Sequence, residues 1–365
     1  MNWESELARN MTTIEELEEV LQIRYNEEER LLLKQLIDTH PMSVSRYYLS
    51  LIDASDEEDP IRKMSIPSVK ETELGGSFDT SGEADNTITA GLQHKYKQTG
   101  MILSTNQCAM YCRHCFRKRL VGLSSMEVSH HMDNIISYIK EHKEMNNVLI
   151  SGGDSFLNSN DTIRKYLKEL SELEHLDFIR FGTRVPVTFP MRIYQDQDLL
   201  KLLKEFNQKK RIYVITHFNH PKELTGEAMR AVRALIECGL GVKNQTVLLN
   251  GVNDNSEILA ELVNRLTRWG IGPYYVFQCR PVSGVKNQFQ VPLHRGYEIV
   301  EAAKAKMNGL GKSFRYVLSN TRGKIEVLGR AEDDRILFKF HEAKDSNNQG
   351  KIFALKIREN QCWID

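Results

Sequence analysis

The sequence predicts an α/β protein built on a parallel β-sheet. Two observations lead to this prediction: short apolar segments alternate with helical stretches from Gly100 onwards, and polar or cysteine-rich turns follow the apolar segments. Short apolar strands that alternate with helices of this length are typical of βαβ units, whose strands run parallel. This pattern is compatible with a doubly wound sheet and with a barrel, and periodicity alone does not decide between them.

The N-terminal part is predicted to be helical from residue 1 to about residue 55. Thr13 followed by Glu16 resembles a capping box, which starts a helix before Leu17. Residues 74–91 are rich in Gly, Ser, Thr, Asp and Asn and are predicted to form a long loop. We therefore assign residues 1–92 to an N-terminal helical segment and loop.

Six strands and six helices are predicted in the centre of the chain. The strands are Met101–Ser104, Val148–Ser151, Phe178–Thr183, Ile212–His217, Val242–Leu249 and Tyr274–Cys279. The helices lie near residues 128–142, 161–173, 196–208, 223–238, 255–268 and 293–307. After about Ser313 the pattern changes to short strands with turns: Phe314–Leu318, Lys324–Leu328, Ile336–Phe340 and Ile352–Ile357. We assign residues 311–365 to a small antiparallel β extension.

The composition is ordinary for a globular protein. The 365 residues are 41% hydrophobic and 27% charged, and 49 basic residues balance 49 acidic ones. A net charge of zero predicts no nucleic-acid partner and no attraction to an acidic membrane surface. No apolar run approaches the ~18 residues of a membrane span. Cysteines clustered in a motif, without a disulfide framework, predict a cytoplasmic protein.

Three cysteines, Cys108, Cys112 and Cys115, form the motif C-x3-C-x2-C. A cluster with four irons usually takes four protein ligands, so three thiolates leave one iron open to a small molecule. This is the pattern of the radical S-adenosylmethionine (SAM) enzymes. The alternatives are a zinc site or a chance cluster, but structural zinc normally takes four closed ligands. The other cysteines supply no second pair, being scattered at Cys238, Cys279 and Cys362.

The chain resembles the lysine 2,3-aminomutase family of radical SAM enzymes from about Tyr47 to Leu328. Besides the cysteine motif, the matching strings include Tyr47-Tyr-Leu-Ser-Leu-Ile-Asp53, Ser151-Gly-Gly-Asp154, Thr216-His-Phe-Asn-His-Pro221 and Pro273-Tyr-Tyr. The resemblance implies a partial (β/α)6 TIM-type barrel, here residues 93–310. It also implies a [4Fe–4S] cluster, SAM and pyridoxal phosphate (PLP). The implied reaction is an isomerisation that moves the α-amino group of an amino acid to its β-carbon.

The resemblance further implies roles for individual residues. Cys108, Cys112 and Cys115 would hold the cluster, and Gly152, Gly153, Asp154, His217 and Gln245 would bind SAM. Lys324 matches the lysine that carries PLP, and Lys95 and Arg184 match residues near that cofactor. Arg117 matches the arginine that binds the substrate α-carboxylate, a task that suits a guanidinium. The alternative for Lys324 is a turn residue that enters a strand, and for Arg117 a solvated basic face.

The substrate side chain is predicted from positions at which this chain differs from the lysine-acting members of the family. Lysine-acting family members place two aspartates around the distal ammonium of lysine. At those positions this chain has Arg280 and, near Ser319 or Asn320, a neutral side chain. An arginine would repel a lysine ammonium, so we predict glutamate or another non-cationic amino acid. The alternative is that Arg280 turns away and pairs with an acid elsewhere, which would leave lysine as a candidate.

Other functions remain as competing hypotheses. One is a radical SAM enzyme that acts on a lysine side chain of a translation factor, and another is an RNA-modifying enzyme, which the neutral charge does not favour. A non-catalytic Fe–S protein would leave the SAM- and PLP-type positions unexplained. For the leading hypothesis the expected partners are an amino acid and a reducing electron-donor protein. A homo-oligomer is compatible with the sequence, and no C-terminal zinc is expected, since Cys362 is the only cysteine near that end.

Overall fold

The computed structural model describes residues 3–123, 126–129, 131–331 and 333–365. In that part of the chain twelve strands form one continuous sheet, in which neighbouring strands follow chain order. The strands are β1 (Thr87–Thr89), β2 (Leu92–Tyr96), β3 (Thr99–Thr105), β4 (Asn147–Gly152), β5 (Phe178–Gly182), β6 (Arg211–Thr216), β7 (Gly241–Leu248), β8 (Gly272–Gln278), β9 (Arg315–Asn320), β10 (Gly323–Arg330), β11 (Arg335–Ala343) and β12 (Ile352–Lys356).

Short helices cover the N-terminal segment, as predicted. They are α1 (Trp3–Leu7), α2 (Ile14–Leu21), α3 (Glu27–Thr39), α4 (Arg46–Leu49), α5 (Pro60–Ser65) and α6 (Glu83–Asn86), with a 3-10 turn at Val69–Thr72. The Thr13 side chain accepts a hydrogen bond from the Glu16 amide, and the Glu16 carboxylate accepts one from the Thr13 amide. This reciprocal pair is the capping box that the sequence predicts, and it fixes the start of α2.

Helices alternate with the parallel strands in the centre of the chain. They are α7 (Met132–Glu141), α8 (Asn160–Ser171), α9 (Val185–Thr188), α10 (Met191–Tyr194), α11 (Gln197–Lys209), α12 (Gly226–Glu237), α13 (Ser256–Arg268), α14 (Lys286–Phe289) and α15 (Leu293–Lys306). Further 3-10 turns lie at Ser155–Leu157, Pro221–Glu223, Gly311–Ser313 and Ser346–Asn348. All six predicted strands and all six predicted helices are present within a few residues of their expected bounds; residue 130 of the first predicted helix lies outside the described residues.

The sheet is an open, barrel-like α/β sheet. Strands β3 to β9 pair in parallel, and β1–β2–β3 and β9–β10–β11–β12 pair antiparallel at the two ends. The sheet order begins at β1 and ends at β12, so the sheet does not close. The predicted fold class, a partial barrel with an N-terminal helical segment and a C-terminal β extension, is confirmed.

Two local predictions need correction. The segment 74–91 is more ordered than a loop, because the Asp79 carboxylate accepts hydrogen bonds from the amides of Glu83 and Ala84 and fixes α6. The predicted extension is antiparallel only in part: β9 pairs antiparallel with β10 but parallel with β8. Strand β9 thus continues the barrel sheet and joins it to the extension, a pairing that local sequence does not encode.

The core follows the layers of the sheet. One large apolar cluster lies between the parallel strands, their helices and the N-terminal helices. A second cluster lies between α13, α15 and the strands β8 to β11. In the described part of the chain, no helix combines the length and apolar character that crossing a membrane requires.

Candidate active site

A cavity of about 600 Å³ lies against the inner face of the sheet. This volume is within the usual range for small-molecule sites. Thirteen of the predicted site residues line it: Lys95, Cys108, Cys112, Cys115, Arg117, Gly152, Gly153, Asp154, Arg184, His217, Gln245, Arg280 and Lys324. Sequence positions more than 200 residues apart therefore meet in one space.

The three motif cysteines follow β3 and are free, partly buried thiols. Arg184 Nη1 donates to Cys112 Sγ at 2.7 Å, and the Arg117 amide donates to Cys115 Sγ at 3.3 Å. Burial raises the pKa of the Cys115 thiol to about 11. These thiols need a positive centre to become thiolates, which iron supplies. The donor set and the charged hydrogen bond fit an iron–sulfur cluster.

A site for a single metal ion differs from a cluster site in how its ligands are grouped. Among the residues with described positions, no three His, Cys, Asp or Glu side chains are grouped closely enough to hold one metal ion. This finding does not bear against a cluster, because each thiolate of a cluster binds a different iron.

Gly152 and Gly153 bring the end of β4 against the cysteine loop. The amide of Gly153 donates to Thr105 O at 2.6 Å, and that of Asp154 donates to Gln107 O at 2.7 Å. A Cβ on Gly153 would lie 2.3 Å from Gln107 O, and Gly152 has a φ of +107°. Only glycine permits this close approach of two backbones. The pair therefore sets the distance between the predicted SAM-binding turn and Cys108.

Asp154 is buried and joins the ends of two neighbouring strands. Its carboxylate accepts hydrogen bonds from Thr183 Oγ1 at 2.5 Å, from the Arg184 amide at 2.7 Å and from the Phe156 amide at 3.1 Å. Burial raises the pKa of this carboxyl despite these donors. The predicted SAM contact thus also positions the segment that carries Arg184.

Arg184 is buried and uses its whole guanidinium on protein groups. Besides Cys112, Nη2 pairs with Glu223 Oε1 at 2.5 Å and donates to Tyr48 Oη at 3.2 Å, and Nε donates to His217 O at 3.1 Å. This geometry places Arg184 at the cysteine loop. Its hydrogen bonds lie on the side of the cavity where the cysteines are, and its predicted contact with PLP stays a prediction.

His217 directly follows β6, Gln245 lies within the neighbouring strand β7, and both line the cavity. Burial, with the charges of Arg184 and Arg117, lowers the pKa of His217 to about 4. His217 is therefore neutral near pH 7 and offers one donor and one acceptor to a ligand. This neutral, polar wall is compatible with the predicted SAM contacts.

Lys324 stands on β10 directly opposite Glu342 on β11. Its Nζ lies 2.5 Å from Glu342 Oε2, and also 4.6 Å and 5.6 Å from the ring centroids of Tyr96 and Tyr275. Tyr96 Oη is buried and has no hydrogen-bond partner in the structure. An amine between two aromatic rings, beside an unused hydroxyl, fits the attachment point of an aromatic aldehyde cofactor such as PLP.

Lys95 lies next to this group on β2. Its Nζ donates to Ser81 O at 3.0 Å and also to Asn320 O. Burial, with the nearby charges of Arg280 and Lys324, lowers the pKa of Lys95 to about 7. A phosphate brought to this place would restore the charge of the ammonium, which agrees with the predicted role at PLP.

Arg117 and Arg280 differ in how they are paired. Arg117 Nε pairs with Glu83 Oε1 at 2.9 Å, and Nη1 donates to Ser151 Oγ at 3.2 Å. Arg117 Nη2 donates to the thioether sulfur of Met101 at 3.0 Å. Arg280 lies 4.3 Å from the ring centroid of Phe116, and its Nη1 is buried without a hydrogen-bond partner. Arg280 thus lines the cavity and carries a cationic donor for which the described residues supply no hydrogen-bond partner.

Asn320 is not part of the cavity wall, and its predicted substrate contact is not supported. The side-chain Nδ2 of Asn320 donates to Ile364 O at 3.1 Å, and its Oδ1 accepts from the backbone amide of Arg322 at 3.0 Å. Ser319, one residue earlier, lines the cavity instead. Side chains alternate across a strand, so a shift of one residue moves the contact to the opposite face.

The cavity wall is strongly cationic. Seven lysine and arginine side chains line it, against three carboxylates, those of Glu83, Asp154 and Glu342. Several buried polar atoms of the wall have no hydrogen-bond partner in the structure: Asn86 Oδ1, Gln93 Nε2, Tyr96 Oη, His114 Nδ1, Arg180 Nε and Arg280 Nη1. Buried polar groups are normally paired. The wall is therefore suited to polar, anionic ligands.

Sequence inspection missed two acidic residues of this wall. Glu83 lies in the segment that the composition predicts to be a loop, and no local pattern marks it. Glu342 lies next to an irregularity of the β10–β11 register, where Ile325 pairs with Phe340 and Lys324 with Glu342. A β-bulge turns a side chain to the other face, and this change of face is invisible in an alternation pattern.

Comparisons with known proteins agree with this geometry. The Radical SAM superfamily model matches residues 102–263. The "Putative L-lysine 2,3-aminomutase" of Aquifex aeolicus is 40% identical over 93% of this chain and 91% of the relative. The "L-lysine 2,3-aminomutase" of Acetoanaerobium sticklandii is 37% identical over 84% and 73%, respectively. The "Glutamate 2,3-aminomutase" of Clostridioides difficile is 34% identical over 85% and 72%.

The open α/β sheet, the cysteine loop after β3 and the superfamily match define a radical SAM enzyme. Within that class, the chain belongs to the lysine 2,3-aminomutase family, as the resemblance predicted. It is thus an isomerase of the aminomutase type, and a [4Fe–4S] cluster, SAM and PLP are the cofactors of the family. The predicted enzyme class and cofactors are confirmed.

Proposed function

We propose that this protein is a 2,3-aminomutase for glutamate or a closely similar amino acid with a non-cationic side chain. The observation that carries the proposal is the buried Arg280 Nη1, which has no hydrogen-bond partner among the residues that the structure describes. A buried cationic donor without a partner is costly, and a side-chain carboxylate would satisfy it. The printed name of one relative, "Glutamate 2,3-aminomutase", shows that the family includes this chemistry.

The acids of the cavity support the same substrate. Glu83 pairs with Arg117 and Arg119, each at 2.9 Å, and Glu342 pairs with Lys324 at 2.5 Å. Asp154 is held by Thr183 Oγ1 and two backbone amides. All three carboxylates of the cavity wall therefore already have partners within the protein. A lysine ammonium would have to displace one of these partners and would also meet Arg280.

The protein residues divide the remaining work. We assign the cluster to the three motif cysteines, SAM to the turn at Gly152 and Gly153, and PLP to Lys324 with Lys95. When bound, these cofactors supply a carbon radical that takes and returns one hydrogen atom, and an aromatic ring that delocalises the unpaired electron. Lys324 would hold PLP at a wall to which Tyr96 and Tyr275 contribute their rings, since both lie near its Nζ.

Arg117 is the proposed partner of the substrate α-carboxylate. Among the described residues, the hydrogen-bond partner of its Nη2 is a thioether sulfur, a weak acceptor that a carboxylate oxygen would replace. Glu83 keeps the Nε side of the guanidinium in place. Two arginines would then hold the two carboxylates of glutamate, and this fixes which hydrogen faces the radical.

Lysine is the second candidate substrate. Its supporting observation is similarity: the two relatives above that are named for lysine share 40% and 37% identity, against 34% for the one named for glutamate. For lysine to bind, Glu83 would have to exchange Arg117 or Arg119 for the substrate ammonium. Lysine would thus bind through Glu83, whereas glutamate would bind through Arg280. Substitution of Arg280 should therefore affect the turnover of the two substrates differently.

An anaerobic assay of the holoenzyme tests the proposal. Protein with cluster and PLP receives SAM, a strong reductant and either glutamate or lysine, and the β-isomers are separated by chromatography. We expect β-glutamate, and a kcat/KM for glutamate that falls about 30-fold or more in Arg280→Asp, since a buried charged pair contributes about 2–5 kcal/mol. The control is Arg335→Asp, the same charge change at an exposed side chain outside the cavity.

Wild-type enzyme that makes β-lysine and no β-glutamate would overturn the substrate proposal and leave the family assignment in place. SAM cleavage without an isomer of either amino acid would favour a macromolecular substrate. We further propose a reducing electron-donor protein as partner and a cytoplasmic location. Six free cysteines, three of them in the C-x3-C-x2-C motif, support a reducing environment.

A further inference from the structure

Glu342 is a half-buried acid of the cavity wall to which the proposed function assigns no role. It faces Lys324 across the β10–β11 ladder, with the two side-chain heads 2.5 Å apart. A register irregularity at this point brings the two residues opposite one another. Gly323, with a φ of +145°, allows the close approach, because a Cβ there would lie 2.1 Å from Glu342 O. The contact is thus fixed by backbone geometry.

The charge environment explains why Lys324 needs such a partner. The titratable or charged groups around the Lys324–Glu342 pair come from four strands: Lys95 and Tyr96 on β2, Arg180 on β5, Tyr274 and Tyr275 on β8, and His341 on β11. Arg280, after β8, acts on Lys95 and Tyr96. The like charges of Lys95 and Lys324 disfavour each other. Burial lowers the pKa of Lys324, but the neighbouring Tyr96 and Glu342 reverse the effect and raise it overall. The Lys324 charge lowers the pKa of Glu342 against the effect of burial.

We propose that Glu342 is a positioning residue that receives Lys324 as an ammonium whenever the lysine is not bonded to PLP. The inference rests on the proposed function of Lys324 as the PLP-bearing lysine and deepens it. Bond formation begins when the ammonium gives one proton to solvent. The nitrogen lone pair then forms a C=N bond to the aldehyde carbon, and the aldehyde oxygen leaves as water with the two remaining hydrogens of the amine.

Release is the reverse exchange. When a substrate amine takes over the C=N bond, the Lys324 nitrogen leaves as a neutral amine and gains one proton. Glu342 holds the resulting ammonium and so disfavours its return to the same carbon. The ion pair therefore shifts the balance from the lysine-bonded cofactor towards the amino-acid-bonded one. Without it, a free amine would remain beside the substrate and compete with it.

The test measures how the covalent capture of PLP by Lys324 depends on pH. Anaerobically prepared, cluster-containing protein is stripped of PLP and mixed with PLP at several pH values. Borohydride then fixes the C=N bond, and peptide mass mapping gives the fraction modified at Lys324. In Glu342→Gln the ammonium loses its counter-ion, so we expect the capture midpoint about one pH unit lower, a tenfold change in proton concentration.

A competing amine provides a second readout that does not depend on catalysis. Methylamine displaces Lys324 from PLP, and the concentration that releases half of the cofactor should rise about tenfold in Glu342→Gln. Glu342→Asp keeps the charge on a shorter side chain and should give intermediate values. Glu326→Gln is the matched control: Glu326 also lies in the extension, pairs with Arg315 at 3.6 Å and does not line the cavity.

The outcomes separate the two proposals. If Lys324 is modified in all proteins but the midpoint and the methylamine concentration are the same in wild type and Glu342→Gln, the inference is overturned and the PLP site stands. If wild type is modified at another lysine or at none, the proposed role of Lys324 fails, and the inference fails with it. If the capture midpoint shifts by the same amount in Glu326→Gln, the effect results from a general loss of negative charge. This result would also overturn the inference.

Discussion

Arg184 connects the cysteine loop to a buried acid: its Nη1 lies 2.7 Å from Cys112 Sγ, and its Nη2 lies 2.5 Å from Glu223 Oε1. Glu223 is fully buried and also accepts from Tyr48 Oη at 2.6 Å and from the amide of Asn219 at 2.6 Å. The orientation of the Arg184 guanidinium, which donates to Cys112, thus depends on groups from the N-terminal helices and from the turn after β6.

This relationship predicts a coupled loss of stability. Arg184→Gln leaves Glu223 as a buried acid without its cation, so the free energy of unfolding of cofactor-free protein should fall by about 3 kcal/mol. Urea unfolding measures it. In Arg184→Gln/Glu223→Gln the loss should be smaller than the sum of the single losses, because one pair is removed in both. If the loss in the double variant equals the sum of the two single losses to within about 0.5 kcal/mol, the two side chains act independently.

The cysteine motif predicts a difference in iron content. Cys112→Ala removes one of three cluster ligands, so anaerobically reconstituted protein should retain less than about one iron per chain, against about four in wild type. Cys238→Ala is the control, because Cys238 lies outside the cavity and its thiol donates only to Leu200 O. Equal iron in both variants would contradict the assignment of the cluster to this loop.

The glycine turn after β4 predicts a steric effect. A Cβ on Gly153 would stand 2.3 Å from Gln107 O, so Gly153→Ala must displace the loop that leads into Cys108. We expect a loss of about 2 kcal/mol or more in unfolding free energy and reduced iron content. Gly226→Ala, at the first residue of α12 with no atom within 4 Å of the added Cβ, should be neutral or stabilising by up to about 1 kcal/mol.

His40 predicts a pH dependence outside the active site. Burial, with the charges of Lys118 and Arg113, lowers the pKa of His40 to about 4. The folded protein therefore binds the proton more weakly than the unfolded chain does, whose histidine pKa is about 6.5. The contribution is present above pH 6.5 and is lost as the pH falls towards 4.

Urea unfolding at pH 7.5 and pH 5 measures this contribution. Because the ring is partly exposed, we expect the acid-induced loss in wild type to exceed that in His40→Gln by only about 1 kcal/mol. The remaining pH dependence, from groups such as Asp154, is common to both proteins and cancels in the comparison. A larger acid-induced loss in the variant would show that His40 gains a proton on folding.

Local patterns were sufficient for much of the fold and of the site. The strand ends at Ser151–Gly152 and Thr216, the capping box at Thr13 and the helix bounds all follow from periodicity and capping residues. The cysteine spacing and Lys324 were found because they match strings whose residue types suit the chemistry. Long-range pairs were not found, because Glu83, Glu223 and Glu342 become functional only through partners distant in sequence.

Two particular residues show the same limit. Asn320 and Ser319 are adjacent, and only the pairing of β9 with its neighbours decides which of them faces the cavity. Arg184 matches a cofactor-side residue in the resemblance, yet its hydrogen bonds lead to Cys112 and Glu223. Strand face and hydrogen-bond partner are set by packing, which residue type alone does not specify.

The sequence by itself determined which chemical groups this protein carries and on which elements: three thiols after the first parallel strand, a glycine turn after the second, and a lysine in the C-terminal strands. The tertiary structure alone decided how these groups are paired. It placed Glu342 against Lys324 and Glu83 against Arg117, and within the described part of the chain it gave Arg280 Nη1 no hydrogen-bond acceptor. The physical reason is that charge and desolvation depend on three-dimensional neighbours, whereas residue type and spacing are properties of the chain.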